Sequence, residues 1–195
     1  MKSHELKLLL LFEREPALRA SIRELSRRGG LNYRSAYESA GHFIAEGVLR
    51  EERHGQVRVC SLSAGEGAIA AMTEVSLARW LLLHGKGPLA AGGQGHPDAP
   101  RLARLAGDLA LASPIFCGVL VWDADALPRE RFTLLAVTLE KARAANLLEE
   151  LQRIHGPAWC RCVAPDELQR ELAGKRWLVL TGHERFWRLL QRWTT

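Results

Sequence analysis

The sequence has no apolar run long enough to span a bilayer. Stretches such as Leu8 to Phe12 and Trp80 to Leu83 fall far short of the roughly 20 residues that a helical span needs. Cysteine is sparse: Cys60, Cys117, Cys160 and Cys162 do not form a disulfide framework in a chain this size, so reduced thiols are expected. Met1-Lys2-Ser3-His4-Glu5 leads straight into a charged, helix-patterned segment, without an apolar stretch and a small-residue cleavage site, so the expected location is cytoplasmic. Lysine is scarce, and most of the 27 basic residues are arginine, whose planar fork suits phosphate. Over 195 residues, 47% hydrophobic and 25% charged content excludes disorder, collagen and fibrous coiled coil. A net charge of +5 suits an anionic partner.

Tryptophan is absent before Trp80, and all six lie from there to Trp193. That shift marks two units. Between them Gly85-Lys86-Gly87-Pro88 through Gly95-His96-Pro97 reads as a linker, since glycine and proline disfavour regular elements. The expected organisation is residues 1–62, a connecting helix over 63–84, a linker over 85–99 and a second domain over 100–195. The fold class is α/β in two domains, the second with a mixed sheet.

In the first segment Ser3 is placed to cap a helix through Glu13, with Leu8, Leu9 and Phe12 at helical spacing. Ser21 with Glu24 three residues on is a capping box opening a helix with Ile22 and Leu25 inward. Gly29-Gly30 ends it. Asn32 then caps a third helix with Ala36, Ala40, Phe43 and Ile44 on its inner face, ended by Gly47. Residues 48–53 and 56–62 flank His54-Gly55 as a hairpin. On the helical wheel Arg34, Ser35, Glu38 and His42 face outward, Tyr37 sits on the flank and Tyr33 falls nearer the inner face.

Two helices joined by a glycine turn and followed by a basic hairpin make a winged helix-turn-helix pattern. The motifs Ile22-Arg23-Glu24-Leu25-Ser26-Arg27-Arg28, Leu31-Asn32-Tyr33-Arg34-Ser35-Ala36-Tyr37 and Ala45-Glu46-Gly47-Val48-Leu49 resemble those of winged-helix transcription regulators of the MarR/ArsR kind. The resemblance implies a homodimer that reads double-stranded DNA, with Glu66 to His84 as a helix that pairs subunits or packs within its own chain. The candidate DNA-contacting residues are Arg27, Arg28, Asn32, Tyr33, Arg34, Ser35, Tyr37, Glu38, Arg53, His54 and Arg58. Arg34 and Ser35 are the leading base or backbone readers, and Arg53, His54 and Arg58 belong to a wing over the minor groove or backbone. Taken singly, each arginine suits a solvated surface. Their joint placement at turn, helix and wing carries the reading. Residues 1–62 hold 11 basic and 8 acidic side chains, a difference of only +3, so binding to random DNA is expected to be modest and salt-sensitive.

From residue 100 the pattern runs helix, strand, strand, helix, strand, helix, strand, helix. This order, with Ala164-Pro165-Asp166-Glu167-Leu168 and the closing Leu178 to Phe186, resembles a minimal nucleotidyltransferase domain. That chemistry needs a Gly-Ser turn and an Asp-x-Asp pair holding two magnesium ions. Here the turn falls on Trp122-Asp123-Ala124 and the carboxylate slot on Phe132-Thr133-Leu134. A non-catalytic domain is therefore expected, serving sensing of a small-molecule or nucleotide effector, dimerisation or partner binding.

An alternative from another class rests on Gly118-Val119-Leu120-Val121-Trp122-Asp123-Ala124-Asp125, which resembles the first motif of haloacid-dehalogenase-type phosphatases. It implies magnesium-dependent phosphotransfer with Asp123 attacking phosphate and Asp125 as acid/base. A third reading is a protein-interaction module of a toxin-antitoxin or defence system. Cys160 and Cys162 share one face of a strand without complementary ligands, the histidines form no metal spacing, and Gly85-Lys86-Gly87 lacks the P-loop pattern. No metal and no cofactor are expected.

Overall fold

The computed structural model describes residues 1–84, 99–112, 114–123, 133–155 and 159–194. Of the expected 85–99 linker all but Ala99, which begins a helix, lies outside the described residues, as do residues 124–132 with Asp125. The fold is mixed α/β, with eight α-helices and two sheets among the described residues. None of those helices is long and apolar enough to cross a membrane. Backbone proximity divides the chain into two compact units, 1–77 with 190–195 and 78–189. The division falls inside two helices rather than at the linker.

The first unit opens with α1 (Ser3–Arg14), whose amino end is capped at Lys2 rather than Ser3. Leu8, Leu9 and Phe12 on α1 are fully buried, and α1 packs against α2 (Ile22–Gly29) and α3 (Tyr33–Ala45). Ser21 accepts from the Glu24 amide at 3.3 Å, as an N-cap does. Gly30 closes α2 in the left-handed conformation, φ 59°, with Leu31 N–H donating to Ser26 O at 2.9 Å and Gly30 N–H to Arg27 O at 3.3 Å. That pair of reverse bonds satisfies the last carbonyls of α2 and turns the chain into α3. Asn32 Oδ1 then accepts from the Ser35 amide at 2.8 Å. Ala36 and Ala40 are fully buried, and their small side chains let α3 lie close to its neighbours. Ile44, expected on the inner face, is only half-buried.

After α3 come β2 (Leu49–His54) and β3 (Val57–Leu62), antiparallel with Arg53 opposite Arg58. The turn is Gly55-Gln56, one residue later than the sequence pattern suggests, because His54 still pairs with Val57. A strand the pattern does not reveal, β1 (Ala20–Ser21), adds to β3 and completes the sheet order β1-β3-β2. Then α4 (Glu66–Leu83) begins. A Cβ at Gly67 would stand 2.8 Å from the Glu46 carbonyl oxygen at the end of α3. Gly67→Ala is expected to lower stability by up to about 2 kcal/mol net, since overpacking costs about 1–3 kcal/mol and helix propensity returns about 1. A urea titration followed by far-UV circular dichroism reads this, and a stabilised variant would contradict the close approach.

The second unit contains α5 (Ala99–Leu111), β4 (Cys117–Asp123), β5 (Thr133–Val137), α6 (Lys141–His155), β6 (Trp159–Val163), a 3-10 turn at Pro165–Glu167, α7 (Leu168–Leu172) and β7 (Lys175–Thr181). It ends in α8 (His183–Thr194), the last turn of which belongs to the first unit. The sheet order is β6-β5-β4-β7. β4 pairs antiparallel with β5 and β7, and β5 pairs parallel with β6, a link that needs the intervening helix α6 as crossover. Leu102, Leu105 and Leu109 of α5 and Ala144, Leu148 and Leu151 of α6 share one core with Leu120, Leu134, Ala136, Leu178 and Leu180. Trp177 alternates to the opposite face of β7, its ring 5.0 Å from Phe186 and 5.8 Å from Trp187. Both faces of β4, β5 and the Trp177 to Leu180 stretch of β7 are thus buried, which is why these strands read as continuous apolar runs.

Candidate nucleic-acid interface

The α2–turn–α3 segment sets the geometry. Its caps are local hydrogen bonds, so the two helices are held at the turn by residues that lie within a few positions of each other. The outer face of α3 carries Tyr33, 56% exposed, Tyr37, 45% exposed, and Arg34, with its side chain 89% exposed. Tyr33 therefore points outward, contrary to its place on the helical wheel. As the first helical residue it has no preceding turn for its side chain to cover. The rings of Tyr33 and Tyr37 lie 6.2 Å apart at 35°.

Charge on this surface is largely compensated. Arg34 Nε donates to Glu38 Oε1 at 2.8 Å, and that bond raises the Arg34 pKa and lowers that of Glu38. Arg53 Nε donates to Glu51 Oε1 at 3.1 Å. Arg28 pairs with Glu15 and Arg19 with Glu52. His54 stands 3.8 Å from Glu52 at the hairpin tip. Asn32 is occupied as a cap, and Ser35 is half-buried with its carbonyl accepting from Ser39 Oγ at 2.7 Å. Ser35 is thus a helix-building residue more than an outward reader.

Arg58 departs furthest from expectation. Its Nη1 donates to Tyr37 Oη at 2.9 Å, its Nη2 to Glu51, and its Nε is shielded from solvent without an acceptor among the described residues. The hydrogen bond from Arg58 is the chief cause holding the Glu51 carboxyl below its ordinary range. Arg58 is committed within its own chain and is not a free phosphate contact in this state.

Uncompensated positive charge sits instead on α2. Arg23 and Arg27, one helical turn apart and both exposed, form no ion pair among the described residues. With Ser21, Glu24, Ser26 and Tyr33 they line a shallow, open groove of about 760 Å³. Arg23 is absent from the candidates the sequence suggests. Its i, i+4 spacing to Arg27 on the polar face of α2 is the signal that points to it. The structure brings Arg23, Arg27 and Tyr33 together, and separately Tyr37, Arg58, Glu51 and Arg53.

No family model, curated protein or solved structure matches the chain.

In the second unit, the strand position that the nucleotidyltransferase resemblance gives to its acid pair holds Thr133 and the fully buried Leu134 on β5, with Phe132 outside the described residues. β6 offers Arg161 opposite Leu135, and Arg161 Nη1 donates to Glu171 at 3.2 Å. Asp123 is the last residue of β4. Cys160 and Cys162 pack against the core of α5, α6 and the sheet, and burial raises both thiol pKa values. Cys117 is pushed up to about 12 by burial. No group of three or more metal-ligating side chains occurs among the described residues.

Proposed function

We propose that residues 1–62 form a winged helix-turn-helix that binds double-stranded DNA, and that the chain is a homodimeric transcription regulator. The observation carrying this reading is the exposed face of α3 beside the uncompensated Arg23 and Arg27 of α2. A helix of 13 residues is about 20 Å long, and a helix of ordinary width enters the major groove. Tyr33, Arg34, Tyr37 and Glu38 then face base edges. Arg23 and Arg27 line one groove with Tyr33 and are the candidate phosphate contacts, which fix register rather than sequence. On the same reading the second unit is a non-catalytic domain for sensing or partner binding, consistent with the apolar residues in the carboxylate slot of β5.

The test is fluorescence anisotropy with a random 30-base-pair duplex and with the DNA upstream of the chain's own gene, titrated with salt. Log affinity should fall linearly with log salt, and Arg23→Ala and Arg27→Ala should each make the slope shallower by about one. Footprinting should protect a palindromic site, and light scattering should give twice the mass of the chain. Absence of duplex binding at low salt, or slopes that ignore both arginines, would refute the assignment.

A further inference from the structure

The hairpin and α3 meet through one side chain. Arg58 of β3 donates to the hydroxyl of Tyr37 at 2.9 Å, and its guanidinium carbon stands 5.3 Å from the centre of the same ring. Its other terminal nitrogen holds Glu51, which also accepts from Arg53 at 3.1 Å. Only 30% of the Arg58 side chain is exposed, against 75% for Arg53. From Tyr37 the contact continues to the ring of Tyr33 at 6.2 Å. Tyr33, Tyr37, Arg58, Glu51 and Arg53 are therefore one connected set running from the first turn of α3 to the wing.

Two physical consequences follow. An arginine whose fork is divided between a phenol and a carboxylate must break a charge-assisted bond to reach a phosphate. A tyrosine gripped from the ring face and at its hydroxyl loses little further rotamer freedom when it meets a base edge, so its contact discriminates better than that of a free side chain. We propose that Arg58 is a positioning residue: it ties Tyr37 to the hairpin so that Tyr33 and Tyr37 meet the bases as one fixed surface, and it sets sequence discrimination rather than overall affinity. This inference rests on the DNA-binding reading above.

The experiment is a selection from a pool of randomised 30-base-pair duplexes with the full chain and its Arg58→Ala, Arg58→Lys and Tyr37→Phe variants. A salt titration on one fixed random duplex accompanies it. Arg58→Ala and Arg58→Lys should each lower the affinity ratio of the selected site over random duplex by about tenfold, and Tyr37→Phe should lower it in the same direction. Salt slopes on random duplex should stay as in the unsubstituted chain. A slope shallower by about one with the ratio intact makes Arg58 a phosphate contact and overturns the proposal. A double-mutant cycle of Arg58→Ala with Tyr37→Ala in urea unfolding tests the contact without DNA. It should show a coupling of about twofold to fivefold in the unfolding constant. Additive effects overturn the tie between Arg58 and Tyr37 whatever the DNA result. If the unsubstituted chain enriches no sequence, the regulator reading and its deepening both fall, and the cycle still decides whether the contact exists.

Discussion

Gly182→Ala is expected to destabilise the second unit by roughly 2–5 kcal/mol. Gly182 has φ 70° and gives its carbonyl to the Phe186 amide at 2.9 Å, opening α8. A side chain in this left-handed conformation costs roughly 1–2 kcal/mol by itself. A Cβ there would also overlap the Phe116 carbonyl oxygen and stand 2.7 and 2.8 Å from Cys117 Cβ and Cα. These atoms belong to β4 and its approach, so relief needs the strand or the start of α8 to move, and such overpacking adds about 1–3 kcal/mol. Gly174→Ala is the control. Gly174 also has φ 70° but a Cβ there meets nothing within 4 Å, so only the left-handed penalty applies. Tryptophan emission in a urea titration reports on this unit, which contains Trp80 through Trp187. Equal midpoints for the two variants would show that the close approach of Gly182 to β4 is wrong.

Acidification should weaken the same unit before it affects the surface ion pairs. Burial lowers the His183 pKa from 6.5 to about 4, so the folded state resists protonation while the unfolded chain accepts it. Between those values the unfolded state binds more protons, and stability must fall as pH falls. The full contribution is present above about pH 6.5, is lost progressively down to about pH 4, and is flat below. A shift of this size corresponds to at most about 3 kcal/mol. The lowered carboxyls of Glu5, Glu38, Glu51 and Glu167 have ordinary values of 4.5, and their contributions are lost only as pH falls through and below that region. The windows are therefore separable. Urea midpoints measured from pH 7 to pH 4 should decline for the unsubstituted chain, and the decline should flatten in His183→Gln. A decline of the same size in both would assign it to other groups.

Much of the architecture is legible along the chain because the deciding interactions are local. The caps at Ser21, Gly30 and Asn32 join residues three to five positions apart, so the end of α2 and the start of α3 can be read within one window. The apolar runs of β4, β5 and β7 likewise announce strands buried on both faces. β1 is different: two residues carry no periodicity, and Ala20 and Ser21 are extended because Cys60 and Val59 of β3 offer an edge to pair with. The division of the chain inside α4 and α8 is also invisible to composition, which marks the glycine-rich linker and the onset of tryptophan instead.

At the candidate site the difference is one of partners. The sequence by itself determines that arginines and tyrosines cluster on α2, α3 and the hairpin, since helical and strand periodicity assign their faces. Only the tertiary structure decides which of those charges remain available. Glu38 takes Arg34, Glu51 takes Arg53 and Arg58, and Arg23 with Arg27 keeps its charge for solvent or a ligand. The reason is range: a backbone cap acts within one turn, whereas the acid or ring that neutralises or holds an arginine comes from wherever the fold places it.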